Sequence, residues 1–400
     1  PYARGVAVSQ RKLLGAWYTP SELIEAIVTE VRRGFEPRTV LDPACGDGRF
    51  LSHFAASARV TGIDIDPATQ WVHDDSLSRE WGSERFDAVV GNPPFLSQLA
   101  ASTSRRGRSR FGGGPYADAA AEFLALAVRL TRRGGRVGLV LPLSLLSTRD
   151  VVAIRDEVSR CAALRWMWWS PTRMFDANVR VWAGVWEIGG EQREVRRSFG
   201  PRFEALPAIP MPVHWSGLIA DRVAPAGEGP VLGEIASFTA DFRDQYYGLC
   251  HAVSDDGAGP PLITSGLIDP DECFWGRREV RFAKRRFRAP RVDVDLLSPA
   301  LQRWARQRLV PKILIANQTK RIEAVIDRSG EWLPSVPVIT CVTDRLDDVI
   351  AVLHSATATE WVRYHAAGSG LSASSVRLTA RLLASIPISA ATAATPSVAS

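Results

Sequence analysis

The strongest constraint on the fold is an alternation of short apolar runs with helical segments between about residues 38 and 190. Four runs are typical of buried strands, at residues 39–42, 59–66, 86–92 and 135–142. Helical spacing of apolar residues predicts helices at 21–33, 47–57, 118–132 and 148–161. This alternation predicts an α/β fold with a doubly wound, Rossmann-like sheet. A tryptophan-rich pair of segments, 164–171 and 179–188, predicts two more strands, arranged as a hairpin at the sheet edge.

The pattern changes after about residue 190, which suggests a second domain. Residues 191–213 are polar and Pro-rich, and they predict an interdomain linker that follows a first domain at 1–190. Residues 214–388 carry short strands separated by Pro and Gly, without strand–helix alternation, so we expect an α+β or mostly β domain there. The Ala-, Ser- and Thr-rich residues 389–400 predict a disordered tail.

Composition excludes several classes of protein. No run approaches the roughly 18 apolar residues of a membrane helix, and residues 1–12 lack the apolar region of a signal peptide. We therefore expect a cytoplasmic protein with no membrane association. Five scattered cysteines without a CxxC pair indicate neither a disulfide framework nor a zinc site, so we expect no metal. A net charge of +6 is compatible with a polyanionic partner without demonstrating one.

A glycine turn follows the first predicted strand. The strand ends in Asp42, and a turn with Gly46 and Gly48 leads into a helix. Such glycines let the backbone approach a ligand and expose amide donors at the helix start. The turn lacks the Gly-Lys-Ser/Thr of a phosphate-binding loop, and its acids would repel a pyrophosphate. They suit a ligand with a cationic amine, such as the methionine moiety of S-adenosylmethionine; a generic strand–turn–helix is the alternative.

Asp64 ends the next predicted strand, about twenty residues further along the chain. An acid at this place can accept hydrogen bonds from both ribose hydroxyls of a nucleoside. A solvated carboxylate in a loop is the alternative. The spacing from the glycine turn favours the nucleoside interpretation.

A second loop, Gly91-Asn92-Pro93-Pro94-Phe95, follows the third predicted strand. Two prolines fix φ and remove two donors, so the loop is stiff. The amide oxygen of Asn92 and the carbonyl of Pro93 can both accept from an exocyclic NH2, which aims the lone pair of that amine at a methyl donor. Phe95 offers a face on which a planar base can stack. An ordinary Asn-Pro-Pro turn is the alternative.

These segments together carry a family resemblance. In order, DPACGDG (42–48), the acid of GIDID (62–66), DDSL (74–77), GNPPF (91–95) and GGRVGLVLP (134–142) resemble the motif series of S-adenosylmethionine-dependent adenine-N6 DNA methyltransferases. Residues 15–20 resemble the G-x-YTP segment that precedes the glycine turn in the γ motif order of such enzymes, which occur in restriction–modification and phage-defence systems. The resemblance covers about residues 10–190 and implies a Rossmann-like methyltransferase domain, with a target-recognition domain at 214–388.

The resemblance also implies a cofactor and a site. The cofactor would be S-adenosylmethionine, in a pocket lined by Tyr18, Thr19, Pro20, Asp42, Ala44, Gly46, Asp64 and Asp75. The catalytic residues would be Asn92, Pro93, Pro94 and Phe95, which hold a flipped adenine. Phe175 resembles a later aromatic residue that packs against the flipped base; a core phenylalanine before an edge strand is its alternative.

Two basic segments are candidates for DNA contact. The Ser-, Arg- and Gly-rich residues 96–115 include Arg105, Arg106 and Arg108, which either clamp DNA or lie in a disordered loop. Residues 277–291 carry eight basic side chains and one acid, enough to neutralise several phosphates; a solvated basic face is the alternative. The candidates there are Arg277, Arg278, Arg281, Lys284, Arg285, Arg286 and Arg288.

The sequence therefore predicts a monomeric, site-specific adenine-N6 methyltransferase that acts on double-stranded DNA. Neither half carries a nuclease motif, and a separately encoded restriction or defence protein stays open as a partner. Two alternatives also stay open. The first is methylation of an RNA base amine or a protein glutamine amide by the same loop. The second is a DNA-binding subunit with this fold in a larger restriction or phage-defence assembly.

Overall fold

The computed structural model describes residues 19–95, 109–114, 117–170, 180–219, 229–241, 243–366 and 375–388. The chain divides into two compact units, Pro1–Ile219 and Ala220–Ser400. Within the described residues, no helix is both long and apolar enough to cross a membrane.

The first unit alternates strands and helices, as the apolar pattern predicts. Its helices are α1 (Ser21–Arg32), α2 (Arg49–Ser52), α3 (Ala119–Leu130) and α4 (Val152–Cys161). Its strands are β1 (Thr39–Asp42), β2 (Arg59–Asp64), β3 (Val72–His73), β4 (Phe86–Gly91), β5 (Thr131–Pro142), β6 (Ala162–Trp169), β7 (Val181–Ile188), β8 (Val195–Phe199) and β9 (Glu204–Ile209). Short 3₁₀ turns lie at Leu143–Leu146, Arg149–Val151 and Trp215–Ile219. The helix predicted over 47–57 is shorter than expected, since α2 has a single turn.

The nine strands form one sheet in the order β3-β2-β1-β4-β5-β7-β6-β8-β9. The pairs from β3 to β5 are all parallel, and β7 runs antiparallel to both β5 and β6. The strand order reverses at β1, because β2 lies on one side of it and β4 on the other. Ligands of open α/β sheets bind at such a reversal, beyond the carboxyl ends of the strands. Asp42, Asp64 and Gly91 end the three strands at this place.

Helices bury the alternating side chains of the central strands on both faces of the sheet. Leu41 and Val89 pack in one apolar cluster with α3 and α4, whereas Val40 and Val90 pack in the other with α1. The predicted doubly wound α/β fold is confirmed, since parallel strands covered on both faces are what that prediction requires. Covering both faces fixes the carboxyl ends of β1, β2 and β4 relative to each other.

Two predictions about the end of this unit are wrong. The predicted linker 191–213 contains β8 and β9, which extend the sheet beyond β6, so the hairpin of β6 and β7 does not form its edge. Arg196 of β8 donates to Glu30 of α1, and the buried Arg197 donates to the carbonyls of Pro207 and Leu218. Residues 214–219, predicted to open the second domain, pack in the core of the first unit through Trp215 and Leu218. Polar edge strands lack the apolar alternation that a sequence pattern detects.

The second unit has shorter elements. Its helices are α5 (Arg243–Leu249), α6 (Pro299–Arg308), α7 (Leu346–His354), α8 (Ala356–His365) and α9 (Ala380–Ala384). Its strands are β10 (Ser237–Ala240), β11 (Val253–Ser254), β12 (Leu262–Ile263), β13 (Ile268–Asp269), β14 (Glu272–Cys273), β15 (Val280–Phe282), β16 (Arg285–Phe287), β17 (Arg291–Val292), β18 (Lys312–Ile315), β19 (Gln318–Thr319), β20 (Ala324–Asp327), β21 (Leu333–Pro334), β22 (Ile339–Val342) and β23 (Val376–Arg377). Further 3₁₀ turns lie at Leu232–Glu234, Ser265–Leu267 and Val294–Leu296. An antiparallel four-stranded sheet, β10-β22-β18-β20, separates two apolar clusters.

A fully buried ion pair lies inside this second unit. Lys312 of β18 and Asp327 of β20 form a salt bridge, and neither side chain is more than 1% exposed. Asp327 also accepts from the backbone amides of Gly330, Glu331 and Trp332. The carboxylate therefore holds the 328–332 turn against the sheet.

Replacing Lys312 with methionine is expected to lower the free energy of unfolding by about 3 kcal/mol, because it leaves a buried carboxylate without its cation. Urea denaturation of the full chain measures the change. Lys284→Met removes an exposed lysine and serves as the control, with an expected change of about 0.5 kcal/mol or less. Equal stability of the two variants would contradict this account of the pair.

Candidate active site and basic surface

A cavity of about 520 Å³ lies at the carboxyl ends of β1, β2 and β4. It brings together residues that are far apart in the sequence. Of the predicted site residues, Thr19, Asp42, Ala44, Gly46, Asp64, Asp75, Asn92 and Pro94 line it. Its other walls include apolar side chains, among them Ile65 and Phe123. The cavity has the size and mixed lining of a small-molecule site.

Asp42 is buried at the end of β1, with 2% of its surface exposed. Burial raises the pKa of its carboxyl from 3.8 to about 8; the nearby Asp64 and Asp47 add to the rise, and a hydrogen bond from the Ala44 amide opposes it. Gly91 lies directly against this carboxyl, since a Cβ there would stand 2.5 Å from Asp42 Oδ1. Asp42 and the loop that begins at Gly91 thus lie in direct contact. A cation in the cavity would relieve the cost of ionising Asp42.

The glycine turn is fixed by Asp64 and Trp71. The Gly46 amide donates to Asp64 Oδ2 at 2.7 Å, which ties the turn to the end of β2. Gly48 has a φ of +80°, and a Cβ on it would overlap the Trp71 ring at 2.4 Å. The same ring occupies the space beside Gly62. Trp71 therefore packs under the turn, and the two glycines provide the room for it.

A loop after β3 forms another side of the cavity. Asp75 accepts from the Leu77 amide at 3.1 Å and from the Ser78 hydroxyl at 2.7 Å, so its carboxylate is fixed by its own turn. The buried Ser76 hydroxyl donates to the Pro43 carbonyl at 2.7 Å. This bond joins the loop that carries Asp75 to the loop that follows Asp42.

The loop after β4 contributes Asn92 and Pro94 to the cavity wall. Pro93 is buried, and Phe95 packs half-buried against the edges of both apolar clusters of the first unit. Helix α3 also lines the cavity, through Ala119 and Phe123. The loop is thus held by the buried Pro93 and by the packing of Phe95 against both cores.

The cavity is strongly acidic. Asp47 pairs with Arg49 at 2.8 Å, and Asp74 pairs with Arg79 at 2.9 Å. Among the described residues, Asp42, Asp64 and Asp75 form no ion pair with a cationic side chain. Cys45 is no candidate nucleophile, because burial raises the pKa of its thiol well above the ordinary value. Within the described ranges, no group of three or more His, Cys, Asp or Glu side chains is arranged so that it could hold a metal ion.

Several predicted site residues lie elsewhere. The structure places Pro20 outside the cavity wall, where its carbonyl accepts from the first amides of α1. Tyr18, Arg105, Arg106, Arg108 and Phe175 lie outside the described residues. Ser76, Trp71 and Phe123 were missed by sequence reasoning. Ser76 stands in the DDSL motif, which was the available signal, whereas the roles of Trp71 and Phe123 depend on tertiary contacts.

In the second unit, the basic segment 277–291 folds around a tight hairpin. Strands β15 and β16 pair antiparallel, with Arg281 opposite Arg286, and Ala283 and Lys284 form the turn at φ values of 49° and 65°. Alternation buries Val280, Phe282 and Phe287 on one face and exposes Arg281 and Arg286 on the other. The exposed Arg285 shares the face of Phe287 and lies over its ring.

Helix α5 supports this turn. The Ala283 amide donates to the Tyr246 hydroxyl at 3.2 Å, and the Tyr246 ring packs on Phe282 with centroids 5.0 Å apart. The neighbouring Tyr247 is 65% exposed. One tyrosine therefore stabilises the hairpin, and the next lies on the surface.

The seven predicted DNA-binding cations of this segment fall into two groups. Three form ion pairs within the unit: Arg277 with Glu272, Arg278 with Asp269 and Arg286 with Glu279. The described residues contain no ion pair for Arg281, Lys284, Arg285 or Arg288. Their positive charge is therefore available to a polyanion.

Comparisons with known proteins agree with the geometry of the first unit. Residues 58–197 match the family model for N-6 DNA Methylase. The chain is 33% identical over 96 residues to the Type II methyltransferase M.CvrRI of Paramecium bursaria Chlorella virus XZ-6E, covering 21% of this chain and 25% of the relative. It is 31% identical over 179 residues to the Type II methyltransferase M.TthHB8I of Thermus thermophilus, covering 37% of this chain and 39% of the relative. The matched segments thus span well under half of either relative.

A solved structure extends the similarity in fold to both units. The Type IIL restriction-modification enzyme MmeI, solved in complex with DNA, matches with a TM-score of 0.62 and 13% identity, covering 93% of this chain and 68% of that chain. At this identity the match concerns the fold alone. Residues 58–197 of this chain are therefore similar in sequence to the N-6 DNA Methylase family, and the fold of the chain is similar to that of MmeI.

Proposed function

We propose that this chain transfers a methyl group from S-adenosylmethionine to the N6 amine of a specific adenine in duplex DNA. The observation that carries the proposal is the shared cavity, in which Asn92 and Pro94 lie with Asp42, Asp64 and Asp75. The loop after β4, which can accept hydrogen bonds from an amine, thus lies beside Asp42 and Asp64, which can bind a cationic nucleoside. The family match of residues 58–197 and the two Type II methyltransferase relatives support the same reaction.

S-adenosylmethionine fits the residues of this cavity. Asp42 would hold its cationic amine, and Asp64 would accept from its ribose hydroxyls. Thr19, Ala44, Gly46 and Asp75 would line the rest of the cofactor site, and Tyr18 stays a predicted member of it. The cavity volume of about 520 Å³ lies within the range of cofactor sites.

The chain's own residues would act mainly on the adenine. The base leaves the helical stack to reach the cavity, and Phe95 and Phe175 contact its ring. The Asn92 amide oxygen and the Pro93 carbonyl accept the two N–H groups of the amine, while Pro94 keeps the loop rigid. When bound, the cofactor supplies a methyl group on a sulfonium, which is a good leaving group. The amine would take up this methyl group, the sulfur would keep the electron pair of the broken bond as a neutral thioether, and the amine would release one proton to solvent. Proximity and orientation supply the catalysis.

We propose double-stranded DNA as the partner of the basic segments. MmeI, which shares this fold, was solved in complex with DNA. The exposed Arg281, Lys284, Arg285 and Arg288 would contact phosphates directly. The paired Arg277, Arg278 and Arg286 would keep the segment in place beside the DNA, and Arg105, Arg106 and Arg108 would add contacts from the first unit.

The hairpin predicts a specific salt dependence. A variant with Arg281, Lys284 and Arg285 all replaced by alanine should reduce the slope of log affinity against log salt by about 3, because each lost phosphate contact removes about one unit. Fluorescence anisotropy with a labelled duplex at several salt concentrations measures this slope. Arg59→Ala is the control, since Arg59 is exposed at the opposite end of the strands from the cavity. An unchanged slope in the triple variant would show that the hairpin does not contact the DNA phosphates.

Competition between substrates tests the choice of DNA. Equal masses of plasmid DNA, total RNA and protein extract are incubated with the purified chain and labelled S-adenosylmethionine. We expect label in the DNA alone. Label in RNA or in protein amides, with none in DNA, would overturn the proposed substrate.

We further propose that the chain is active alone, as a monomer in the cytoplasm. Size-exclusion chromatography of the preparation used for the transfer assay gives the oligomeric state. If transfer appears only after a restriction or defence protein is added, the chain is instead a subunit of a larger assembly.

A further inference from the structure

The second unit carries a polar pocket that the proposed function does not use. It is an open cavity of about 560 Å³, and Gln318, Lys320, Arg321, Glu323 and Arg363 contribute to its wall. Four of these side chains come from six consecutive residues, at the end of β19 and the turn after it. The pocket is therefore built largely by one local segment.

Several bonds hold this segment in one conformation. Strand β19 pairs antiparallel with β23, and the buried Thr319 hydroxyl donates to the Arg321 carbonyl. Arg363 of α8 donates twice to the Lys320 carbonyl, at 3.0 and 2.6 Å. Ile322 is buried in the core beneath the turn. The turn is thus fixed, and Lys320 and Arg321 are exposed on it.

The pocket offers hydrogen-bond acceptors as well as donors. Lys320 and Arg321 only donate, whereas the Gln318 amide does both and the Glu323 carboxylate accepts. A carboxylate would repel a phosphate, so a pure phosphate site does not explain Glu323. Base edges in the major groove present both donors and acceptors, and glutamine and glutamate are side chains that read them. Burial raises the pKa of Glu323, as does the charge of Asp269, which is consistent with a half-buried group beside other acids.

The pocket also adjoins the basic segment. The charges of Arg321 and Arg278 both act on Glu323, and Arg321 acts on Asp269, the partner of Arg278. Strands β13 and β14, which carry the ion-pair partners of Arg278 and Arg277, lie against β20 directly after the pocket segment. A duplex that follows the basic segment would therefore reach this pocket.

We propose that this pocket reads base edges in the recognised DNA sequence. Gln318 and Glu323 would contact the bases, Lys320 and Arg321 would hold the adjacent backbone, and Arg363 is a positioning residue that fixes the turn. The inference rests on the proposed function, because it names the part of the DNA that this unit recognises.

Selection from a randomised duplex pool tests whether the pocket reads base edges. The full-length chain and its Glu323→Gln and Gln318→Ala variants each select bound duplexes, which are then sequenced. We expect each variant to lose preference at one or two base pairs by about 10-fold or more, with the other positions unchanged, since a good base contact contributes that much discrimination. Lys320→Ala should weaken binding to all sequences alike. Glu331→Gln, an exposed carboxylate on another turn, should select the wild-type sequence.

The outcomes separate the two proposals. If Glu323→Gln and Gln318→Ala select the same sequence as the wild type, the pocket does not read bases, whatever the rate of methylation. Glu323→Gln preserves shape, and thermal unfolding confirms that each variant is folded. Methyl transfer by the same preparations is measured separately. Absence of transfer by the wild type contradicts the proposed function, and selection still decides the role of the pocket.

Discussion

Replacing Asn92 with alanine is expected to reduce methyl transfer to DNA by about 10³-fold, while cofactor binding changes by only about 2-fold. The amide oxygen of Asn92 would orient the amine only during transfer. Alanine removes that acceptor but keeps the hydrogen bonds from the Ala44 amide to Asp42 and from the Gly46 amide to Asp64, since neither bond involves the Asn92 side chain.

The test requires both quantities from one preparation. Transfer of labelled methyl groups to plasmid DNA gives the rate, and calorimetry with S-adenosylhomocysteine gives the binding. Gln302→Ala removes an amide side chain in the second unit and serves as the control. A variant of Asn92 that methylates at the wild-type rate would show that the loop after β4 is not the site of transfer.

Replacing Asp42 with asparagine is expected to have two opposite effects. Cofactor binding should weaken by roughly 10- to 100-fold, since a hydrogen bond to a charged group is lost. The fold should become more stable at high pH, because asparagine has the same shape without the cost of a buried negative charge. A gain in stability with a loss of binding identifies a residue kept for function.

The pH dependence follows from the raised pKa of Asp42. Between pH 3.8 and about 8 the carboxyl keeps its proton in the folded chain and loses it in the unfolded chain. The folded state binds more protons, so the free energy of unfolding falls as pH rises through this window. Below the window both states are protonated, and above it both are ionised. Asp42→Asn has no carboxyl to ionise, so its free energy of unfolding does not fall in this window. The difference in stability between the variant and the wild type should therefore grow from pH 5 to pH 9.

Thermal unfolding at pH 5, 7 and 9 measures the difference. Asp256→Asn, which neutralises an exposed carboxyl, provides the matched control and should follow the wild-type profile. Parallel pH profiles for Asp42→Asn and the wild type would show that the Asp42 carboxyl is ionised in the folded chain without cost. The claim that burial makes ionisation of Asp42 unfavourable would then be wrong.

The sequence predicts the centre of the fold well because the central strands are buried on both faces. Such strands carry continuous apolar runs, as in Val40–Leu41 and Ala88–Val90. Strands β8 and β9 were missed because an edge strand keeps polar residues and tolerates Pro207. Arg197 is buried there through bonds to backbone carbonyls, which no apolar pattern reveals.

The same reasoning explains which parts of the site were predictable. Asp42 and Asp64 each end a strand and Asn92 directly follows one, and parallel strands bring their carboxyl ends to one edge. The Trp71 ring fills the space beside Gly48 and Gly62, and its position depends on the path of the chain between β2 and β3. The division of the basic segment into paired and unpaired cations likewise depends on acids from other strands, such as Asp269.

The identity of the methylated atom decides whether this chain is an adenine-N6 methyltransferase. The purified chain is incubated with plasmid DNA and S-adenosylmethionine that carries a deuterated methyl group, and the DNA is digested to nucleosides for mass spectrometry. We predict deuterated N6-methyldeoxyadenosine, formed by the wild type and absent with Asn92→Ala. Label on cytosine, or no labelled nucleoside from an active preparation, would contradict the account.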